Sequence, residues 1–288
     1  MAAEIINGRE LSNSLRERMT EEIAELKKRD VSPQLTVVLV GDNPASRSYV
    51  RGKEKACNSV GMDSNLIELS ESTSQEKLLE LILELNNDPG VHGILVQLPL
   101  PDHINEDVVI ETITPEKDVD GFHPINIGRM MAEKDTFLPC TPFGILTMLK
   151  EKNITIEGKH AVVLGRSRIV GKPVGQLLLN ENATVTYCHS RTHNLKEVTQ
   201  QADILIVAVG KQEYITGDFV KEGATVIDVG INRKEDGSLT GDVDFESAKE
   251  RASYITPVPR GVGPMTITML LQNTIKAARQ LNEISQRS

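Results

Sequence analysis

The run Gly165-Arg166-Ser167-Arg168-Ile169-Val170-Gly171-Lys172-Pro173-Val174-Gly175 decides the fold of this chain. An apolar segment, His160-Ala161-Val162-Val163-Leu164, leads into it, and a helix-compatible stretch from Pro173 to Leu179 leads out. Strand, glycine turn and helix in that order make a dinucleotide site. The first glycine permits a tight turn, later small residues let the backbone approach phosphate, and the helix N-terminus offers free N–H groups with a partial positive charge. The spacing departs from the common G-x-G-x-x-G, because five residues separate Gly165 from Gly171. Taken alone, the loop therefore also fits an ordinary strand-to-helix turn. Gly165, Arg166, Ser167, Ile169, Val170 and Gly171 are the candidate cofactor contacts.

The next strand, Ala183 to Tyr187, sharpens this reading. An NAD site usually places an acid about 20 residues beyond the first glycine, where it holds the ribose 2′-hydroxyl. Here the stretch reads Cys188-His189-Ser190-Arg191-Thr192, without an acid. Ser190 and Arg191 suit a 2′-phosphate, since the arginine fork donates two hydrogen bonds at once, and Arg166 is a third candidate. The expected cofactor is NADP; the plain alternative for Arg191 is a solvated surface charge. Asp228-Val229-Gly230-Ile231-Asn232 closes a further strand at its ligand-facing end and adds Ile231 to the cofactor set.

Composition bounds the rest. A chain of 288 residues has room for two domains, and 39% hydrophobic with 25% charged residues describes a soluble globular protein. The formal charge of −9 argues against nucleic acid as a partner. No apolar run approaches the ~20 residues that cross a bilayer, and Met1-Ala2-Ala3-Glu4-Ile5 lacks a basic-then-apolar leader pattern. Cys57, Cys140 and Cys188 form no C-x-x-C pair and read as free thiols of a reducing compartment, so the cytoplasm is expected. The six histidines are not spaced as a ligand cluster, and no metal is expected.

Strand-like and helical patterns alternate along the chain, which predicts an α/β fold with mostly parallel sheet and right-handed crossovers. Strands are expected over Leu35–Val40, Asn65–Leu69 and Gly93–Gln97, then near Ala161–Leu164, Ala183–Tyr187, Ile204–Val207 and Thr225–Val229. Helices are expected over Ala45–Val60, Ser74–Asn86 (Ser74 as N-cap), Phe143–Lys152 and Met265–Leu281. The boundary is placed near Cys140-Thr141-Pro142. Residues 1–140, with a returning C-terminal helix 265–288, form a substrate domain, and 141–264 form a Rossmann-like NADP-binding domain. A cleft between the two is expected.

Several residues carry potential chemistry. Tyr49 and Lys53 are four apart and share a helical face with Ser46. A lysine facing a dry site has its charged form disfavoured and can exchange a proton near neutrality; the bland alternative is a snorkelling surface lysine. Arg47, Arg51 and Lys55 recur at the same spacing as a basic stripe suited to a multiply anionic ligand, or as solvated surface. Gln97 closes a strand before Leu98-Pro99-Leu100-Pro101 and can orient Lys53 without adding charge. Asp118 and Asp120 flank a glycine turn; a carboxylate there can accept paired hydrogen bonds from an aminopyrimidine-like edge, or simply cap the turn. Pro257-Val258-Pro259-Arg260-Gly261-Val262-Gly263-Pro264-Met265-Thr266 is a rigid segment that can press backbone amides against a planar ring.

Taken in order, Tyr49-Val50-x-x-Lys53, Val96-Gln97-Leu98-Pro99-Leu100-Pro101, Asp118-Val119-Asp120-Gly121-Phe122, the Gly165–Pro173 loop and Gly261-Val262-Gly263-Pro264-Met265-Thr266 resemble the bifunctional methylenetetrahydrofolate dehydrogenase/cyclohydrolase (FolD) family over essentially the whole chain. The resemblance implies a homodimer of two-domain subunits acting on tetrahydrofolate derivatives, and the basic stripe at Arg47, Arg51 and Lys55 would suit the glutamate tail of a folate, polyglutamylated forms included. NADP would take a hydride from 5,10-methylenetetrahydrofolate, and water would open the methenyl product to 10-formyltetrahydrofolate. It further implies that Lys53 is the acid–base group of the hydrolytic step, tuned by Gln97, that Tyr49 packs on the folate, and that Asp120 holds the pterin edge. Leu98, Pro259, Gly261 and Gly263 complete the implied substrate contacts. One departure stands out: Arg260 occupies a position that is usually glycine in the family. A monofunctional NADP-dependent dehydrogenase, a non-catalytic NADP-binding protein and a two-domain enzyme acting on a small hydroxy acid are the competing readings of the same fold.

Overall fold

The computed structural model describes residues 3–285 and divides the chain into two compact units. One comprises Met1–Asn13 with Thr141–Thr266, the other Ser14–Cys140 with Ile267–Ser288. In chain order the elements begin with β1 (Glu4–Ile5), α1 (Gly8–Lys27), β2 (Gln34–Val40), α2 (Pro44–Val60), β3 (Asp63–Leu69), α3 (Gln75–Asn87) and β4 (Gly93–Val96). Next come α4 (Glu106–Thr112), α5 (Pro124–Met131), α6 (Cys140–Glu151), β5 (His160–Leu164), α7 (Gly171–Asn180), β6 (Thr184–Cys188), α8 (Leu195–Thr199) and β7 (Ile204–Val207). The chain continues through β8 (Thr225–Asp228), β9 (Asn232–Arg233), β10 (Leu239–Thr240), α9 (Phe245–Lys249), β11 (Tyr254–Ile255) and α10 (Val262–Ser285).

The unit containing Lys53 is built on a three-stranded parallel sheet in the order β3-β2-β4. Its central strand, Gln34-Leu35-Thr36-Val37-Val38-Leu39-Val40, is buried from Leu35 onward, as expected for a parallel strand covered on both faces. Val38, Val40 and Ile94 pack with Leu78, Ile82 and Val109 from α3 and α4. The helix starts are chemically explicit. Asn43 Oδ1 accepts from the N–H of Ala45 (2.9 Å) and Ser46 (3.2 Å) ahead of Pro44 in α2, and Ser74 Oγ accepts from Lys77 N–H at the start of α3. At the other end of α3, buried Lys117 donates to Leu85 O (3.0 Å) and Asp88 O (2.6 Å), serving carbonyls that the helix leaves unpaired.

The other unit is a six-stranded, all-parallel sheet in the order β1-β11-β8-β7-β5-β6, with the antiparallel pair β9–β10 beside it. Val162, Leu164, Leu205, Val207, Val226 and Ile255 form the heart of its core. The first 13 residues group with this unit and not with residues 14–140 as the sequence reading placed them. The cause is a backbone pairing: β1 adds to the sheet edge beside β11, in the register Glu4↔Tyr254 and Ile5↔Ile255. The last helix begins at Val262, earlier than the expected Met265, so Thr266 lies inside α10 and bonds back to Val262 O.

Candidate active site

Three elements meet around Lys53. α2 carries it nine residues into the helix, half-buried, while Tyr49 one turn earlier is exposed. Gln97 follows directly after β4, and its Oε1 accepts from Lys53 Nζ at 2.9 Å. The Gln97 amide is held on its other side, because Nε2 donates to Leu98 O at 2.6 Å; that bond fixes which end of the amide faces the lysine. The Leu98–Pro99 peptide is cis. Asp118 bridges to Ile94 of β4 in parallel register, and Asp120, two residues on, lies close enough to Lys53 for the two charges to act on one another.

The two aspartates do different work. Asp118 is buried and accepts from the N–H groups of Gly121 (3.2 Å), Phe122 (3.3 Å) and His123 (2.8 Å) and from Asn126 Nδ2 (2.8 Å). It organises the loop that presents Asp120. Asp120 is half-buried, and burial pushes its carboxyl up to about 6, against the pull of the Lys53 charge. Burial likewise holds the Lys53 ammonium below its ordinary value, opposed by the charge on Asp120. Each charged form is disfavoured by burial and partly restored by the other, so the pair can exchange protons closer to neutrality than either group alone in water.

Two supporting residues carried no signal in the sequence. Cys140 is buried against Asp120 and donates to Val119 O at 3.3 Å. Asn273 of α10 donates to Val119 O (2.9 Å) and Leu138 O (3.0 Å). A lone cysteine and a lone asparagine 133 residues apart offer no spacing to read.

In the other unit the predicted cofactor loop sits at the C-terminal end of β5. Gly165 has φ 124°, and an added Cβ there would meet Ala208 O at 2.2 Å. At Gly171, the first residue of α7, a Cβ would meet Gly165 O at 2.4 Å. The turn therefore closes only with glycine at both places, and it leaves a cradle of backbone at the start of α7. Ser167 Oγ accepts from the N–H groups of Val170 and Gly171, both at 3.2 Å, and so caps the helix from inside the loop. Arg166, Ser167 and Ile169 are exposed and Val170 is half-buried. Gly165 N–H bonds Cys188 O at 2.9 Å, joining the loop to the end of β6, where Ser190 and Arg191 are exposed and no acid stands in residues 188–192. These residues fit a dinucleotide: a glycine cradle, a helix N-terminus, and exposed donors in place of a ribose-binding carboxylate.

Ile231, Pro259, Gly261 and Gly263 line one cavity of about 280 Å³ in this same unit. Two buried carboxylates, Asp228 in its wall and Asp242 behind it, tie the neighbouring loops together. Asp228 accepts from the N–H groups of Gly230, Asp242 and Val243, and Asp242 accepts from those of Val209, Gly210 and Lys211 and from Asn232 Nδ2. Burial pushes Asp228 up to about 6. Arg260, on the rim, has φ 82°; an L-residue with a Cβ carries a cost of roughly 1–2 kcal/mol in that region. The predicted basic stripe is reduced: Arg47 pairs with Asp42 and Glu68 and is not free for a ligand, while Arg51 and Lys55 are exposed. Among the described residues no group of three or more His, Cys, Asp or Glu side chains is placed to hold a metal ion, and no helix is long and apolar enough to cross a membrane.

A lysine–glutamine contact beside a half-buried aspartate on one α/β unit, and a glycine-closed strand-to-helix loop on another, fit a dinucleotide-dependent α/β enzyme. Comparison with known proteins makes this specific. The catalytic-domain model of tetrahydrofolate dehydrogenase/cyclohydrolase matches residues 6–120, and the NAD(P)-binding-domain model of the same family matches residues 139–282. A protein of Oceanobacillus iheyensis named bifunctional protein FolD is 67% identical over 282 residues, covering 98% of this chain and 99% of its own. The crystal structure of the bifunctional FolD enzyme of Campylobacter jejuni superposes with a TM-score of 0.96 at 51% identity, covering 97% of this chain and 99% of its own. That of the Trypanosoma brucei dehydrogenase-cyclohydrolase, complexed with NADP and an inhibitor, gives 0.93 at 39% identity over 97% and 98%. The chain belongs to the tetrahydrofolate dehydrogenase/cyclohydrolase family. It is a bifunctional enzyme of folate one-carbon chemistry, with a catalytic and an NAD(P)-binding domain.

Proposed function

We propose that the protein oxidises 5,10-methylenetetrahydrofolate with NADP and hydrolyses the methenyl product to 10-formyltetrahydrofolate, with Lys53 as acid–base group of the second step. The observation that carries this reading is the 2.9 Å contact from Lys53 Nζ to an amide oxygen whose own orientation is fixed by Leu98 O. Bound NADP supplies the hydride acceptor for the first step. Gly165, Arg166, Ser167, Ile169, Val170 and Gly171 would hold the dinucleotide, Ser190 and Arg191 its 2′-phosphate, and Ile231 would complete the cofactor contacts. An exposed arginine where an NAD site keeps an acid supports NADP over NAD.

The methenyl substrate is a cation, which adds like-charge repulsion to burial and keeps Lys53 neutral. Neutral Nζ takes one proton from water as the water oxygen bonds to the one-carbon unit. The bond from that carbon to N5 then breaks, and Lys53 returns its proton to N5. The remaining hydroxyl proton leaves to solvent as the formyl carbonyl forms, so Lys53 ends as it began. Gln97 positions Nζ through the turnover, and Asp120 accepts from the pterin edge. Tyr49 stacks on the folate, and Leu98, Pro259, Gly261 and Gly263 pack around it.

Residues 14–140 with the later part of α10 form the folate-binding domain, and residues 141–264, joined by β1 and the start of α1, form the NADP-binding domain. Polyglutamylated folates are substrates, with Arg51 and Lys55 as exposed cations on α2. The enzyme is a cytoplasmic homodimer; the unpaired edge of β6, bearing exposed Tyr187, supports self-association. The test is hydrolysis of 5,10-methenyltetrahydrofolate by wild type and Lys53→Met. The variant is expected to lose about 10²–10⁴-fold in rate while its circular dichroism stays native. A variant that hydrolyses at the wild-type rate would remove Lys53 from the mechanism.

A further inference from the structure

Three successive backbone N–H groups in the loop after β7 converge on one side chain. Asp242 Oδ2 accepts from Val209 (2.7 Å) and Gly210 (2.9 Å), and Oδ1 accepts from Lys211 (2.9 Å) and from Asn232 Nδ2 (2.9 Å). Asp242 is fully buried. Gly210 has φ 66°, and consecutive N–H groups in such a turn form a concavity that binds anions. Here the anion is the protein's own carboxylate, so the loop is ordered from within.

The carboxylate is itself fixed. Asp242 N–H donates to Asp228 Oδ1 at the end of β8 (3.0 Å), and Asp242 O accepts from Ile215 N–H (3.0 Å). A Cβ on Gly230 would collide with Asp242 Oδ1, and one on Gly241 with Asp228 Oδ2. Neither glycine has a positive φ, so what they supply is room for the two carboxylates.

The loop that Asp242 holds lies at a telling place in the sheet. β5 pairs with β6 on one side and with β7 on the other. The strand order therefore reverses at β5, and the crevice between the loops after β5 and β7 is the switch point where open parallel sheets bind ligands. The glycine cradle after β5 is one lip of that crevice. The loop after β7 is the other, and the two touch, since a Cβ on Gly165 would collide with Ala208 O. Val209, Gly210 and Lys211 follow at once, and none of the three is among the cofactor contacts expected from the sequence. We propose that Asp242 is a positioning residue for NADP, which holds the second lip of the crevice in its binding shape before the cofactor arrives. Its carboxylate is engaged by the loop, so it acts through Val209–Lys211 and not by touching the cofactor. Ordering a binding loop in advance lowers the cost of binding. The proposal lies wholly within the six-stranded unit and rests on the NADP reading above.

The experiment titrates NADPH, followed by its own fluorescence, into wild type, Asp242→Asn and Asp242→Ala, and measures methenyl hydrolysis without dinucleotide on the same preparations. Asparagine keeps the shape but turns one oxygen into a donor that faces N–H groups, and alanine removes both acceptors. In both variants the Kd for NADPH and the KM for NADP should rise about tenfold, kcat at saturating NADP should fall less, and hydrolysis should stay near the wild-type rate. Unchanged affinity in folded variants overturns the proposal. So do equal losses of affinity and hydrolysis, which would make Asp242 a support of the whole fold. Amide hydrogen exchange of residues 209–211 in wild type needs no variant: these N–H groups should exchange as slowly without NADP as with it. Fast exchange that slows only when NADP binds would also overturn the proposal, because the cofactor and not Asp242 would then order the loop. A wild type that binds no NADPH overturns the NADP reading itself, and this assignment with it.

Discussion

At the residue scale, half-buried Lys53 and Asp120 carry the proton chemistry, and Arg260 carries the backbone strain. Asp120 titrates at about 6, above the ordinary value for aspartate, so between roughly pH 4 and 6 the folded protein binds protons that the unfolded chain has released. Its contribution to stability therefore falls as pH rises through that window and is most unfavourable above it. Asp120→Asn should unfold at higher urea than wild type at pH 7, by at most about 3 kcal/mol for a shift of two units, with the gap closing toward pH 4. A gap that widens in acid would contradict the burial account. Arg260→Gly should stabilise the protein by roughly 1–2 kcal/mol, read as a higher urea midpoint, because glycine is at ease at φ 82°; no gain would mean the backbone there relaxes at no cost. The sequence flagged both places, Asp120 beside a glycine turn and Arg260 where the family has glycine. It did not show that Arg47 is consumed by Asp42 and Glu68, since those acids lie five residues back and 21 ahead on other elements.

At the element scale, the longer strands and half of the helices were legible because their apolar runs and breakers coincide. The Leu35–Val40 run and Ile204–Val207 are rich in β-branched residues and buried, and Asp88-Pro89-Gly90 ends α3. What the sequence hid are contacts made only after folding. The 20-residue α1 escaped notice although Leu11, Leu15, Met19, Ile23 and Leu26 recur at helical spacing, and β1 is too short to carry a period of its own. Its pairing with β11 links residues 250 apart, which moves the first 13 residues to the other unit. The cofactor loop was legible as glycines, but not as a capped helix start. Ser167→Ala removes the oxygen that serves Val170 and Gly171. It should cost about 1 kcal/mol in stability and raise KM for NADP, while methenyl hydrolysis, which needs no dinucleotide, stays near the wild-type rate. Equal losses in both reactions would show that Ser167 supports the whole protein and not the loop.

At the scale of the molecule, one chain carries a lysine–carboxylate pair on a three-stranded unit and a dinucleotide cradle on a six-stranded unit. The sequence made that division legible because two sets of chemically distinct residues fall in separate blocks of α/β pattern. The central claim is that both reactions belong to this one polypeptide and that NADP is the oxidant. The measurement that tests it most directly is a single absorbance time course with purified protein and 5,10-methylenetetrahydrofolate, run once with NADP and once with NAD. The account predicts reduced cofactor forming faster with NADP, and 10-formyltetrahydrofolate appearing faster than the uncatalysed opening of the methenyl product. Absence of reduction with either cofactor, or accumulation of the methenyl product at the uncatalysed rate of decay, would contradict it.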